Sequence, residues 1–266
     1  MSSIGDAFES GDLPGAIAAA TAAVRSAPRD AGLRWLLAEL LLFNGETERA
    51  DRALDAVLEE QPSPPVLEFR RLLRAEEIRR QVFHEGRVPK FQGDDPTPAQ
   101  AAALRALTLS RQGDLAGAAE AAAEAEALRP RTPGEVTGPA GATAFDDLRD
   151  ADDILAPQIE VLTAAGEYMW VPVERLASLE FEAARRPRDL YWRRTSLTLK
   201  DGTEGLVFLP AVYPWADPAT SAAIRLGRET DWTDPAAGPV RGLGQRLLLA
   251  GEEALALRDV VMLRFT

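Results

Sequence analysis

The sequence predicts an α+β protein in which a helical N-terminal half precedes a smaller, mixed and mainly antiparallel β domain. Two observations lead to this fold class. In residues 1–130 a set of glycine, alanine and proline positions recurs at a fixed spacing, and apolar residues follow the helical period. Beyond a stretch rich in proline and glycine, the apolar runs become short and are separated by turn residues, as in β-strands.

The N-terminal half contains an internal repeat. Gly45 follows Gly11 by 34 residues, and Gly113 follows Gly45 by 68, which is twice that spacing. In each segment an alanine stands five positions after the glycine and a proline seventeen positions after it: Ala16, Ala50 and Ala118, then Pro28, Pro62 and Pro130. A period of 34 is that of the tetratricopeptide repeat, in which a turn glycine opens the second helix and a small residue allows close packing. We therefore expect tetratricopeptide-like helical hairpins.

One repeat is incomplete. The next glycine of the series is expected at position 79, but the segment from Arg79 to Pro98 is rich in glycine and proline. This composition predicts an extended loop where a second helix would stand. Because about three repeats are needed for a stable stack, we expect this one to depend on the C-terminal half for its cap.

The domain boundary is predicted at residues 131–142. Three prolines and three glycines fall within residues 130–141, a composition typical of a linker. The sequence thus predicts a helical repeat domain at 1–130, a linker at 131–142 and a C-terminal domain at 143–266.

In the C-terminal half, the clearest strand signal is a hairpin centred on Asp201-Gly202, a pair that favours a type I′ turn. Pairing outward from this turn places Leu197, Leu199, Leu206 and Phe208 on one face. Other segments are predicted to be strands (158–162, 167–171, 179–181, 245–249 and 260–265) or helices (145–155 and 218–226).

Composition excludes several classes of function. The 266 residues include no cysteine and one histidine, so disulfides, thiolate metal sites and most histidine-based catalytic arrangements are absent or must use His84. The formal net charge of −12 opposes nucleic-acid binding, and no apolar run approaches the roughly 20 residues that span a bilayer. No signal peptide is recognised. We expect a cytoplasmic protein whose partners are proteins, not nucleic acid or membrane.

No cluster in the sequence nominates a reaction, a metal or a cofactor. Five aspartates between Asp146 and Asp153 lack the spacing of a calcium loop, and an exposed acidic helix face explains them better. Gly242-Leu243-Gly244 is too short for a phosphate-binding fingerprint. His84 is interpreted as a loop residue, and the carboxylates Glu229, Asp231 and Asp234 as surface acids. Catalytic, cofactor-binding and metal residues are therefore predicted to be none.

Tryptophan, tyrosine and arginine are concentrated in the C-terminal half, where four of the five tryptophans lie between positions 170 and 232. These residue types predominate at interface hot spots, but they also serve as the core of a small domain. The sequence leaves both interpretations open.

Five short sequence motifs of the C-terminal half, which we name the family phrases, occur in the order found in one family: Trp170-Val171-Pro172, Pro187 to Arg193, Asp201-Gly202, Val207 to Tyr213, and Leu226 to Trp232. Together they resemble the ImpE/TagJ (SciE) family of type VI secretion accessory proteins. The similarity is greatest over residues 165–235, and the helical, tetratricopeptide-like half ahead of it matches the family layout.

The resemblance implies a non-catalytic, cytoplasmic adaptor associated with the contractile sheath. Such proteins bind the N-terminal helix of the small sheath subunit, and some also bind the AAA+ ATPase that dismantles contracted sheath. The matched positions are the candidate partner-binding residues: Trp170, Arg188, Tyr191, Trp192, Arg193, Arg228 and Trp232.

Two other classes remain open at this level. A generic tetratricopeptide scaffold or co-chaperone would use basic residues along its groove, for which Arg34, Arg70, Arg71, Arg74 and Arg105 are available. A hydrolase using C-terminal carboxylates would require an enclosed pocket with a carboxyl of raised pKa.

Overall fold

A computed structural model describes residues 3–60, 63–93, 95–139, 141–217 and 219–266. Its N-terminal half is helical: α1 (Ile4–Ser10), α2 (Leu13–Ser26), α3 (Ala31–Phe43), α4 (Thr47–Glu60), α5 (Pro64–His84), α6 (Pro98–Gln112) and α7 (Leu115–Leu128). The predicted α+β class with tetratricopeptide-like hairpins is confirmed. The repeat proline Pro62 lies outside the described residues.

The repeated Gly-Asp pair marks the end of one helix and the start of the next. Gly11 and Gly113 end α1 and α6 in the left-handed conformation, with φ of 87° and 81°. The next residues, Asp12 and Asp114, begin α2 and α7 by accepting hydrogen bonds from backbone N–H groups. A glycine relieves the steric cost of positive φ and an aspartate satisfies a free helix N–H, so one Gly-Asp dipeptide both ends and starts a helix.

The incomplete repeat is filled by a strand. Helix α5 continues to His84, and the chain then forms the short strand β1 (Lys90–Phe91) instead of a second helix. β1 pairs in parallel with β6 (Tyr168–Pro172), so the inserted segment joins the helical half directly to the sheet.

The C-terminal half is built on a nine-stranded sheet with strand order β1-β6-β5-β9-β8-β7-β14-β2-β3. Its other strands are β2 (Gly134–Gly138), β3 (Gly141–Phe145), β5 (Gln158–Thr163), β7 (Leu176–Phe181), β8 (Trp192–Leu199), β9 (Glu204–Pro210) and β14 (Met262–Phe265). All its strand pairs except β1–β6 are antiparallel. Two smaller sheets contain β4 (Leu148–Asp150), β12 (Leu247–Ala250) and β13 (Glu253–Ala256), and β10 (Thr230–Trp232) with β11 (Gly242–Gly244). A short helix, α8, spans Ala222–Arg225.

Residues 131–142, predicted to be a linker, carry β2 and the beginning of β3. Glycine there marks close packing: a Cβ on Gly134 would lie 2.1 Å from the carbonyl oxygen of Arg264 on the neighbouring strand. The linker interpretation of this segment is wrong for that reason. The division of the chain into 1–130 and 143–266 stays a prediction.

The acidic helix predicted at 145–155 is also wrong. The segment forms the end of β3, then β4 and turns. Asp147, Asp150, Asp152 and Asp153 bind backbone N–H, arginine or tyrosine groups instead of lining an exposed face, whereas Asp146 is exposed. Asp152, which is fully buried, accepts hydrogen bonds from the N–H groups of Ile154 and Leu155. Aspartate favours such turns because its short side chain reaches nearby N–H groups. The short helix predicted at 218–226 is present at Ala222–Arg225, and Pro218 lies outside the described residues.

The predicted hairpin exists, but its faces were assigned wrongly. Leu199 pairs with Thr203 through a three-residue connection in which Gly202 has φ of 87°. A shift of one residue moves every following side chain to the opposite face. Leu206 therefore lies opposite Ser196 and is 37% exposed, whereas Leu197 lies opposite Gly205.

Both faces of the main sheet are buried. One face packs on the helices in a core that includes Phe43, Phe69, Leu162, Trp192 and Phe208. The other face packs against β4, β12, β13 and the chain that precedes β14, through a second core of residues such as Val161, Leu197 and Leu248. Helices and sheet thus share one core, as expected of a repeat stack that needs a cap.

We predict that Gly45→Ala destabilises the protein by about 2–3 kcal/mol, whereas Gly113→Ala costs only about 1 kcal/mol. Both glycines have positive φ, at 73° and 81°. A Cβ on Gly45 would lie 2.8 Å from the Trp215 ring, whereas nothing lies within 4 Å of one on Gly113. Urea unfolding of the two variants measures the difference. Equal losses would show that the contact between the α3–α4 turn and Trp215 contributes nothing.

Candidate functional site

The structure divides the seven candidate residues into two groups. Four of them belong to the interior: Trp170, Tyr191, Trp192 and Arg193 are 0%, 4%, 1% and 5% exposed. Arg188 and Trp232 are half-buried, and Arg228 is exposed. Aromatic phrases in the sequence thus mark mainly the packing of the sheet on the helices and between its layers.

Tyr191 and Trp192 attach the sheet to two helices. The hydroxyl of Tyr191 and the indole N–H of Trp192 both donate to the carboxylate of Glu76 on α5, at 3.2 and 2.9 Å. Their rings meet Phe43 of α3 and Phe69 of α5 edge to face, with centroids 5.3 and 6.0 Å apart. Each ring therefore buries apolar surface while its polar group is satisfied.

Trp170 occupies the space left by the missing helix of the incomplete repeat. Its ring contacts Phe83 of α5 and Phe91 of β1, and its indole N–H donates to the hydroxyl of Tyr168 at 2.7 Å. The edge of the sheet thus substitutes for a helix.

A buried network of charges lies at the centre of this junction. Arg79 of α5 is fully buried and donates to both oxygens of Glu160 on β5, at 2.8 and 3.1 Å. It also donates to the carboxylate of Glu76 and to the carbonyl oxygen of Val212, both at 2.9 Å. Tyr168 donates its hydroxyl proton to Glu160 at 2.6 Å. A buried charge is tolerated when it is paired and fully hydrogen-bonded, as here.

The network continues into the loops of the C-terminal half. Arg246 is paired with Glu160 and lies 3.4 Å from Asp150, which accepts a hydrogen bond from the hydroxyl of Tyr213 at 2.7 Å. Burial raises the pKa of Asp150 to about 6, against the opposing effect of Arg246. Burial also lowers the pKa of Arg246 to about 10.

A second buried acid lies where the Pro187 phrase meets α3. Glu39 accepts a hydrogen bond from the indole N–H of Trp35 at 2.8 Å and lies 3.6 Å from Arg186. Burial raises the pKa of Glu39 to about 7, because the loss of hydration outweighs these favourable contacts. Arg188 stacks on the rings of Trp35 and Phe69, at 5.3 and 5.0 Å.

The Leu226 to Trp232 phrase caps the end of α1 through Arg228, and the preceding Arg225 contacts the end of α3. Arg228 donates to the carbonyl oxygens of Phe8 and Glu9 at the C-terminus of α1, at 2.5 and 2.8 Å. Arg225, three residues earlier, donates to the side chain of Asn44 at the end of α3, at 2.7 Å. Arg228 satisfies free carbonyl groups at a helix C-terminus, and both cations complement the dipole of the helix whose end they contact.

The groove that a tetratricopeptide stack offers to peptides is occupied here by the chain itself. The first helices of the second repeat and of the incomplete third repeat are α3 and α5. Helix α3 faces the 187–190 turn, and α5 faces strands β5 and β6. Of the arginines considered for a peptide clamp, Arg70 pairs with Asp51 and Asp55, and Arg105 pairs with Glu124. These contacts do not favour capture of a peptide tail in the concave face.

A cleft remains open at the junction of the two halves, and we name it the seam cleft. It has a volume of about 390 Å³. Its walls come from the α3–α4 turn, from α5 and from the loop after β9: Leu42, Asn44, Gly45, Thr47, Glu76, Glu77, Arg80, His84, Tyr191, Pro214, Trp215, Ala216 and Arg225. Two shallower concavities between α4 and α5 share Thr47 and Glu77 with it and extend it along the helices.

The chemistry of the seam cleft is mixed. Leu42, Pro214 and Trp215 give it apolar walls, and Arg225 stacks on the Trp215 ring at 4.5 Å. Burial, together with the nearby cations Arg241 and Arg79, lowers the pKa of His84 to about 4, so this histidine is neutral at pH 7. Glu39 and Asp150, whose pKa values are raised, lie outside the cleft, which does not favour a hydrolase built on it.

Sequence reasoning selected Tyr191 as a partner-binding candidate and nominated no other wall of this cleft. It interpreted His84 as a loop residue, whereas His84 is the last residue of α5 and lines the cleft. Trp215 carried a signal in the sequence, because it is one of the four tryptophans between positions 170 and 232. Within the described ranges, no group of three or more His, Asp or Glu is arranged to hold a metal ion. The helices described are also too short or too polar to cross a membrane.

Comparison with known proteins gives the family. Residues 142–264 match the model of the ImpE protein family, and residues 7–73 match a tetratricopeptide repeat model. The chain is 36% identical over 252 residues to the type VI secretion system accessory component TagJ of Pseudomonas aeruginosa, covering 93% of this chain and 86% of that protein. The chain belongs to the ImpE/TagJ family.

The fold of this ImpE/TagJ protein is also that of a solved structure. The crystal structure of protein VPA1032 from Vibrio parahaemolyticus matches with a TM-score of 0.88 at 28% identity, covering 99% of this chain and 97% of the other. The joint arrangement of helices and sheet is therefore common to both chains.

We predict that Arg79→Leu destabilises the protein by about 3–5 kcal/mol, because it leaves Glu160 and Glu76 buried without their cation. The neighbouring Arg80, which pairs with Glu77 and Glu85 at the surface, is the matched control, and Arg80→Leu should cost less than about 1 kcal/mol. Urea unfolding measures both. Similar small losses in the two variants would contradict a structural role for the network.

The raised pKa of Glu39 predicts a pH dependence. The folded protein keeps this carboxyl protonated between its ordinary pKa of 4.5 and about 7, so its contribution to the free energy of unfolding falls as pH rises through that interval. Glu39→Gln, which imitates the protonated form, should gain stability relative to the wild type between about pH 5 and about pH 8. Unfolding at the two pH values tests this. A stability difference that does not change with pH would contradict it.

Proposed function

We propose that this protein is a non-enzymatic adaptor of a type VI secretion system that acts in the cytoplasm. It binds the N-terminal helix of the small sheath subunit and influences recruitment of the AAA+ ATPase that dismantles the sheath. The observation that carries the proposal is the 36% identity to TagJ, an accessory component of such a system, over 93% of the chain. The sheath and ATPase partners follow from the family resemblance of the five C-terminal phrases.

The architecture supports an adaptor that uses its seam. The concave face of the stack is closed by the protein's own sheet, so a partner helix requires another surface. The seam cleft, prolonged by the two concavities between α4 and α5, provides apolar walls flanked by charged residues of both signs. An amphipathic helix fits a groove of this kind by inserting apolar anchors while its polar face stays in water.

We propose that the accessible candidate residues Arg228 and Trp232 support this surface from outside its walls. Arg228 and Trp232 belong to the segment that also positions Arg225 against Trp215 in the cleft wall. Trp170, Trp192 and Arg193 are buried, so we propose that they act by holding the surface in shape.

The first test of this function is a fluorescence-anisotropy titration with a labelled peptide of the cognate small sheath subunit's N-terminal helix. We expect saturable binding at roughly micromolar strength or tighter. A scrambled peptide of equal charge is the control, and it should not bind. Equal binding of the two peptides, or binding of neither, would contradict the helix-adaptor function.

The position of the site is tested separately with Ala216→Trp. Ala216 is exposed at the rim of the seam cleft, so an indole ring there should obstruct the cleft without disturbing the core. We expect peptide affinity to fall by about tenfold or more. Ala123→Trp, on the exposed face of α7, should leave it unchanged within about twofold. Unchanged binding by the Ala216 variant would place the helix elsewhere.

A further inference from the structure

The two edges of the nine-stranded sheet differ in how they are protected. A free edge exposes backbone N–H and C=O groups that can pair with another strand, and proteins usually block it with short strands, charges or proline. At one edge, β1 is two residues long and carries Lys90, which pairs with Glu167. The small sheet that contains β13 has Glu253 on its edge strand. Both of these edges are blocked in the usual way.

The edge formed by β3 has no such protection. The strand Gly141–Phe145 contains no charged residue and no proline, and its first four residues are exposed. Within the described ranges, Ala142, Thr143 and Ala144 make no hydrogen bond beyond the ladder with β2. A regular antiparallel strand has unpaired backbone groups on alternate residues of its outer side.

We propose that β3 pairs in antiparallel fashion with β3 of a second copy of this chain, forming a two-fold symmetric dimer with a continuous sheet. The two-fold axis passes beside Thr143, so that Thr143 faces its own counterpart and Ala142 faces Ala144. A symmetric interface must be complementary to itself, and a neutral strand with small side chains meets that condition. This inference is independent of the proposed adaptor function.

The symmetry of the strand favours a second copy as the occupant, because identical residues, Ala142 and Ala144, flank Thr143 and match when two copies run antiparallel. The protein carries a net charge of −12, so two copies repel one another over most of their surface. In the proposed register no charged side chain lies opposite another along the paired strands, and Asp147 of one copy falls beside Pro139 of the other. Repulsion between the two acidic copies therefore opposes the dimer as a whole but is not concentrated on the paired strands.

The dimer should be weak and should strengthen with salt. Because one five-residue strand buries less area than a standard interface, we expect a dissociation constant of roughly 10–100 μM. Added salt screens the repulsion between the two acidic copies, so it should favour the dimer. A basic peptide bound at the same edge would respond in the opposite way.

Sedimentation velocity over a range of protein concentrations and at two salt concentrations tests the proposal. Thr143→Lys alone and Thr143→Glu alone should each abolish dimerisation, because like charges would face each other across the axis. An equimolar mixture of the two variants should restore it as a heterodimer. Ser196→Lys, on an exposed position of the central strand β8, is the control and should dimerise as the wild type does.

Each result decides for or against self-pairing at this edge. A wild type that stays monomeric at the highest concentration overturns the proposal, as does dimerisation that survives Thr143→Lys. Failure of the mixed variants to associate overturns the register centred on Thr143. Circular dichroism of every variant confirms that a lost dimer does not reflect lost folding.

Discussion

Arg79 of α5 and Glu160 of β5 are 81 residues apart in the sequence, yet they form a two-point ion pair from which solvent is excluded. Removing either charge from water is costly, and the cost is offset only when both partners and their further hydrogen bonds are in place. Neither the helices alone nor the sheet alone supplies that set. The helical half and the sheet must therefore be docked before either reaches its low-energy state, and the rest of the structure follows from this dependence.

The first consequence concerns the family phrases. Tyr191 and Trp192 reach Glu76, Trp170 fills the place of a missing helix, and Arg228 caps α1. Each contact crosses from one half of the chain to the other. These phrases therefore record how the sheet fits the helical stack. Under the proposed function they contribute to the partner surface only indirectly, by fixing the geometry of the seam.

The features that the sequence predicted correctly are those that depend on residues close together in the chain. The 34-residue spacing gave the hairpins because Gly-Asp is itself a helix end and a helix start, and the Asp201-Gly202 pair gave a turn in the right place. The predictions that were wrong concern residues whose structure depends on contacts with distant parts of the chain. Gly134 resembles a linker residue until the backbone of Arg264 lies against it, and the hairpin faces reversed because the turn holds one more residue than its sequence favours. The seam cleft could not be predicted from the sequence for the same reason, since its walls come from segments more than 100 residues apart.

The closed concave face also determines where the two proposed surfaces can lie. The sheet meets the helices at the β1–β6 end and on one face, which leaves the seam cleft open beside α5 and the β3 edge at the far end of the sheet. Pairing of β3 with a second copy therefore does not obstruct the cleft, and a dimer would present two clefts at once. A contractile sheath repeats the same subunit many times, so two linked sites bind it with a higher effective concentration than either alone. Under the two proposals, weak self-association and modest helix binding combine into firm attachment to a polymer and weak attachment to its free subunits.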